Sequence, residues 1–302
     1  MAQMIPFRYL FLLALLVFAG CGENLSASPG VDWTWRGSGT TKFLYDITYA
    51  NGQFMAVGQN GTIRTSPNGV NWTARGSGTP NELFDVTFGG GQFVAVGSFG
   101  AIVTSPDGVN WTMETSGTVG SPITGIAYGG DLYVAVGAAG AIRTSPDGVN
   151  WAAQTSGTTN TLYSITYGGG QFVAVGMNGT IRTSPDGVNW TERTAGIANH
   201  LNSLTYGGGR FVAVGNNGTI LTSPDGVNWT AQTSGTTATL NDITYGGGQF
   251  VVVGDGGTIL ISSDVVSWTA QTSGTEENLF GVAYGGGRFV AVGSKGIVLT
   301  SP

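Results

Sequence analysis

The chain has 302 residues, with 11 Lys and Arg against 17 Asp and Glu, one His, one Cys and a formal net charge of −6. Charged residues at 9% and an acidic balance leave no basic footprint for phosphate-driven nucleic-acid binding. One Cys excludes an internal disulfide, and one Cys with one His excludes a Cys/His zinc site. Gly at 53 residues is about 18% of the chain against a usual ~7%, and 41% of residues are hydrophobic. That is a turn-rich folded chain, not a disordered one.

Residues 9–19 (YLFLLALLVFA) follow Arg8 as an uninterrupted apolar run. The run fits the roughly 7–15 residues of a signal-peptide core and falls short of the ~20 that span a bilayer as a helix. It leads into Phe18-Ala19-Gly20-Cys21, which resembles a bacterial lipobox, with Phe18 where Leu is usual. The resemblance implies cleavage before Cys21, diacylation of its sulfur and acylation of the new amino terminus, which anchors stably where one acyl chain is marginal. The alternative is an ordinary signal peptide with an incidental Cys. Against it, the single Cys falls where acylation requires it. Gly22 and Glu23 follow, without the Asp that marks inner-membrane retention in some Gram-negative bacteria, which points to the outer membrane. The expected division is a signal peptide over 1–20, lipidated Cys21 and a polar tether over 21–29, and a folded domain over 30–302.

The folded domain is one unit repeated. Trp33, Trp72, Trp111, Trp151, Trp190, Trp229 and Trp268 are separated by 39, 39, 40, 39, 39 and 39 residues, a period that signals a repeat architecture. Residues 162–196 show the unit. A first strand over 162–167 turns through Gly168-Gly169-Gly170 into a second over 171–175. Asn178-Gly179, a tight-hairpin signal, leads to a third over 180–183, and Pro185-Asp186-Gly187 leads to a fourth over 190–194. In Phe172-Val173-Ala174-Val175 both alternating sets are apolar, so both faces of the sheet are buried. The fourth strand is polar after its Trp and suits an outer edge.

Such units stacked around an axis make an all-β fold, a seven-bladed β-propeller of four-stranded antiparallel blades. The last copy stops at Leu299-Thr300-Ser301-Pro302, where a turn and a Trp strand should follow. That piece, Gly30-Val31-Asp32-Trp33-Thr34, stands at the other end. The N-terminal strand is therefore expected to complete the last blade and close the ring, where an open solenoid would carry dissimilar caps.

The turn SPDGVNW recurs with Asp107, Asp147, Asp186 and Asp225, with Asn68 and Val265 as variants in two other copies. It resembles the Asp-box (BNR) repeat of sialidase-like and of photosystem II assembly-factor-like propellers, one residue shorter than S-x-D-x-G-x-x-W. The Asp accepts backbone N–H groups of its own turn, Gly allows positive φ, and Trp72, Trp111, Trp151, Trp190, Trp229 and Trp268 supply packing surface, so these are structural residues.

The sialidase likeness implies three Arg around a carboxylate, a Tyr–Glu nucleophile pair and an Asp acid. Arg64, Arg143 and Arg182 exist, but they share one repeat position on the third strand. Equivalent positions radiate around a ring and cannot converge. Most Asp recur with the repeat, the only His, His200, has no evident nucleophile partner, and no helix follows the GGG runs to hold a phosphate. The reading is no enzyme, no metal and no cofactor.

Variation among the copies concentrates in the loops between blades and in the second hairpin turn, which an antiparallel blade places on one face. Candidates for a partner there are Lys42, Phe43, Glu82, Phe99, Asn160, Met177, His200, Asn216, Asp255, Glu276 and Lys295, with Phe43, Phe99 and Met177 as apolar anchors. Position two of the first strand also varies, as Tyr45, Phe84, Thr124, Tyr163, Asn202, Asn241 and Phe280, and is expected to pack between blades rather than line the channel mouth. The function expected is a lipid-anchored, monomeric scaffold that binds a protein at the bacterial cell envelope. A lectin-like module for surface polysaccharide is the alternative, and a glycosidase is the least supported.

Overall fold

The computed structural model describes residues 33–301 except 116, 118 and 119. Within these residues the chain forms seven four-stranded antiparallel sheets, each in sequential strand order except the last. Blade 4 runs Leu162–Gly168, Gln171–Gly176, Ile181–Ser184 and Thr191–Arg193. Blade 1 begins at Leu44, and blade 7 comprises Leu279–Gly285, Arg288–Gly293 and Ile297–Thr300. Its fourth strand is Thr34–Gly37, paired antiparallel with Ile297–Thr300. The Arg36 Nε donates to Thr300 Oγ1 at 3.0 Å and Ser38 Oγ to the Gly296 carbonyl at 2.6 Å. The ring closes as the sequence requires. The signal peptide, Cys21 and the tether lie outside the described residues.

The strand boundaries of blade 4 differ from expectation by one residue at six ends, and two of these shifts have local reasons. The third strand of blade 4 starts at Ile181, because Thr180 closes the turn, donating its N–H to the Met177 carbonyl at 3.0 Å and its hydroxyl at 2.6 Å. Asn178 and the following Gly179 both take positive φ, 55° and 67°, as a type I′ turn demands. The fourth strand starts after Trp190, whose indole is tied back to the Gly187 carbonyl at 2.9 Å.

The core lies between blades. Val173 and Val175 pack against Leu201, Leu204, Phe211 and Ala213 of the next blade, and Phe172 and Ala174 against Val134 and Val136 of the one before. A glycine ends most first strands because the next blade's ring lies flat on it. A Cβ on Gly168 would stand 2.1 Å from Tyr206 Cγ, and one on Gly285 2.0 Å from Tyr49 Cγ across the closure. Bonds between blades add to this, as Gln171 Nε2 donates to the Asp225 carbonyl at 2.7 Å.

The Asp turns are self-contained. Asp186 Oδ1 accepts the Val188 and Asn189 N–H groups at 2.9 and 2.8 Å and the Ser184 hydroxyl at 3.0 Å, and Asn189 Nδ2 donates to Oδ2 at 2.8 Å. The same set recurs at Asp107, Asp147 and Asp225. These bonds hold all four carboxyls well below the usual carboxylate range. Asn68 does the same with an amide oxygen, at 3.0 and 3.1 Å from two N–H groups. Val265, in place of Gly, sits at φ 63° with its side chain buried.

Candidate binding face and axial channel

Each second-hairpin turn is seated on the loop that enters its own blade. Gln59 N donates to the Phe43 carbonyl at 2.9 Å, Ser98 N to Glu82 at 2.9 Å, Met177 N to Thr161 at 2.9 Å and Ser294 N to Asn278 at 2.9 Å. The two variable loop sets therefore share one face. The turn tips are left-handed even where the residue is Phe99 or Lys295, with φ of 57° and 53°. That backbone turns the Phe99 ring outward, 68% exposed.

The second residue of every first strand is a β-bulge: the register skips Tyr163 between Leu162 and Ser164, and skips Tyr45 between Leu44 and Asp46. A bulge re-aims the extra side chain. Tyr45, Phe84, Thr124, Tyr163, Asn202, Asn241 and Phe280 all turn inward and line a narrow axial channel of about 130 Å³. This corrects the expectation that they pack between blades, which assumed an unbroken alternation.

The channel mouth is lopsided. Phe43, Tyr45 and Phe280 form one aromatic cluster, with ring centroids 6.0–6.4 Å apart, and Phe84 joins through Tyr45 at 5.6 Å. These residues belong to blades 7, 1 and 2. Blades 5 and 6 offer amides instead: Asn202 Nδ2 donates to Asn216 Oδ1 at 3.0 Å and Asn241 Nδ2 to Asp255 Oδ1 at 2.9 Å. Tyr45 donates its hydroxyl to Glu82 at 3.2 Å, and burial with that carboxylate pushes the phenol up to about 12.

Below the mouth, the third residue of the first strand places Asp46, Asp85 and Asp242 on the channel wall. Each accepts an N–H of the next blade: Val86 to Asp46 at 2.9 Å, Ile126 to Asp85 at 2.7 Å and Val282 to Asp242 at 2.7 Å. Their surfaces are half-buried and meet only the narrow channel. Burial raises Asp46 well above the carboxylate range, aided by the charge of Asp85, and burial raises Asp85 as well. Asp242 is pushed up to about 7 by burial and by Asp46, against the hydrogen bond it accepts from the Ser203 hydroxyl at 2.6 Å. Sequence reasoning did not single out these three. The signal was their recurrence three residues before the aromatic of the first strand, Tyr49, Phe88 and Tyr245.

Of the candidate residues, Lys42 and Lys295 come together at the blade 7–blade 1 seam, where Lys295 Nζ pairs with Glu277 at 2.5 Å, while Phe43 turns to Tyr45 and Phe280 at the channel mouth. Glu82 joins them through Tyr45. Asn160 is occupied by Thr180 Oγ1 at 2.8 Å, and Met177 is half-buried. His200 accepts the Asn178 N–H on Nδ1 at 3.0 Å and meets Tyr163 edge-on. Asn216 and Asp255 hold the channel amides, and Glu276 is exposed. These last six are distributed around the ring and do not converge. The three guanidinium groups each bond the loop leading into their own blade: Arg64 to Gly39, Arg143 to Gly117 and Arg182 to Gly157, at 2.7, 3.3 and 2.9 Å.

No protein-family model matches the chain, and no curated protein matches it. Solved structures do match. A structure of YCF48 bound to D1 peptide superposes with a TM-score of 0.74 at 20% identity, over 92% of this chain and 96% of that one. YCF48 from Cyanidioschyzon merolae gives 0.72 at 18%, over 89% and 98%. Virginiamycin B lyase from Staphylococcus aureus gives 0.80 at 15%, over 89% and 99%. At these identities the likeness is one of fold, the β-propeller.

Proposed function

We propose that the protein is a non-catalytic scaffold that holds a protein partner on its variable face at the bacterial cell envelope, anchored through acyl chains on Cys21, in the outer membrane. The observation that carries this reading is the aromatic cluster of Phe43, Tyr45, Phe84 and Phe280. Blades that are near-copies elsewhere differ here, and an aromatic group gathered on three adjacent blades is the composition of an interface centre. A propeller of the same fold is seen bound to a peptide, which supports the use of the fold. Another carries the name of a lyase. In this chain the axial carboxyls face a space of about 130 Å³, below the roughly 300–1,000 Å³ of a small-molecule site, and Arg64, Arg143 and Arg182 are each tied to their own loop. The Asp-centred turns support kinship with the Asp-box propellers.

The test is lysine-directed crosslinking in native membranes, since Lys42 and Lys295 are the only lysines of the chain. One stoichiometric partner is expected, lost in a Phe43→Thr/Phe280→Asn variant that copies residues other blades carry at those positions. Retention of the partner by that variant, or the absence of any partner, overturns the reading. Intact mass of the membrane form, against Cys21→Ser, checks the anchor.

A further inference from the structure

Beyond the aromatic channel mouth, a second site lies at the rim of blade 7. A groove of about 850 Å³ runs beside the closing strand, walled by Trp35 and bounded by Lys42, Lys295 and Glu277. Equivalent grooves of about 790 and 710 Å³ occur on blades 6 and 3, with the same Ser-Gly-Thr floor. The repeat makes the difference readable. Where blade 7 has Trp35, blades 6 and 3 have Ala270 and Ala153. Where it has Lys295, they have Gly256 and Ala139, and where it has Lys42 they have Glu277 and Asn160.

Three features meet in this one groove. Trp35 is 66% exposed, a large flat apolar face held in water. Both lysines of the 302-residue chain stand here. Glu277 pairs with Lys295 at 2.5 Å and accepts the Ser294 hydroxyl at 2.8 Å, while Lys42 has no ion pair among the described residues. Two ammonium groups against one carboxylate leave one net positive charge, on a chain of net charge −6. The floor combines Thr40, Thr41 and glycine backbone with Ile297 and Leu299, while the Ser38 hydroxyl is held by the Gly296 carbonyl at 2.6 Å.

We propose that this groove binds a single anionic sugar residue, a pyranose carrying a carboxylate or a phosphate. The apolar face of the ring lies on Trp35, which buries apolar area on a rigid surface at little entropic cost. The anion takes the place between Lys42 and Lys295, and the ring hydroxyls replace water at Thr40, Thr41 and the glycine backbone. Trp35 presents an open, flat face rather than a closed pocket, which suits a sugar ring better than a peptide side chain. The site goes beyond the scaffold reading and does not depend on it.

The experiment is calorimetric titration of the full chain with galacturonic acid, glucose 6-phosphate, neutral galactose and a Glu-rich pentapeptide. One site per chain is expected for an acidic sugar, weakened by salt, and the two acids distinguish carboxylate from phosphate. Trp35→Ala lowers affinity about tenfold or more, Trp35→Phe retains part of it, and Lys42→Gln weakens the acid but not the neutral sugar. Trp35 is exposed, so these variants fold, which circular dichroism checks. No saturable binding up to about 10 mM, undiminished binding by Trp35→Ala, tighter binding of the pentapeptide, or several equivalent sites per chain overturns the proposal. The Phe43→Thr/Phe280→Asn variant keeps sugar binding, so failure here and failure of the scaffold reading are separate results.

Discussion

Asp242→Asn should stabilise the propeller at alkaline pH. The wild-type carboxyl has an ordinary value of 3.8 when unfolded and is pushed up to about 7 when folded. Between these values the folded state binds the extra proton, so the stability this group contributes is full below 3.8 and is lost as pH rises through 7. A shift of about three units corresponds to a cost on the order of 4 kcal/mol at pH 8, an upper limit because the channel admits some water. Asn removes the charge and fits the same contacts. Its Oδ1 accepts the Val282 N–H and its Nδ2 meets Ser203 Oγ, where the carboxylate now accepts at 2.7 and 2.6 Å. Scanning calorimetry at pH 4.5, 6 and 8 measures the effect. The melting temperature of the variant should exceed that of wild type by roughly 5 °C at pH 8 and match it at pH 4.5. A slope remains in the variant, because partial burial still raises Asp46 and Asp85. A variant less stable than wild type at pH 8, or a wild type whose stability does not change from pH 4.5 to 8, refutes the argument.

The turn carboxylates act in the opposite sense. Asp107, Asp147, Asp186 and Asp225 are held low, so their contribution is present above the unfolded value and lost as pH falls below it. With the axial carboxyls losing stability upward, the wild-type maximum should fall near pH 4–5, read from a melting-temperature profile. Gly168→Ala brings a methyl onto the Tyr206 ring and should cost about 1–3 kcal/mol in denaturant unfolding. The low end is expected, since blade 1 carries Ala50 at this position, packed near Phe88. A chain begun at residue 38 loses the closing strand, leaves Ile297–Thr300 as an open edge, and should melt earlier and aggregate in size-exclusion chromatography, whereas one begun at residue 30 should not.

The blades, the closure and the faces of the disc were legible in the residues, because a propeller blade makes its hydrogen bonds and turns locally. The spacing of the tryptophans, the glycine and Asn-Gly turns, and the doubly apolar second strand each act within one 39-residue unit. The interruption of alternation at the bulge was not legible. It is decided by how each first strand meets the channel and the neighbouring blade, and it carries Tyr45, Phe280 and their equivalents inward. The same geometry turned Asp46, Asp85 and Asp242 from scattered acids into a buried axial group, since adjacency across blades is a property of the closed ring. Trp35 and Lys42 lie about 250 residues from Lys295 in the chain and meet it only because the first strand described completes the last blade. Sequence alone determined the repeat and its fold; closure of the ring decided which of its irregularities stand together, because the contacts between first and last blades exist only once the circle is complete.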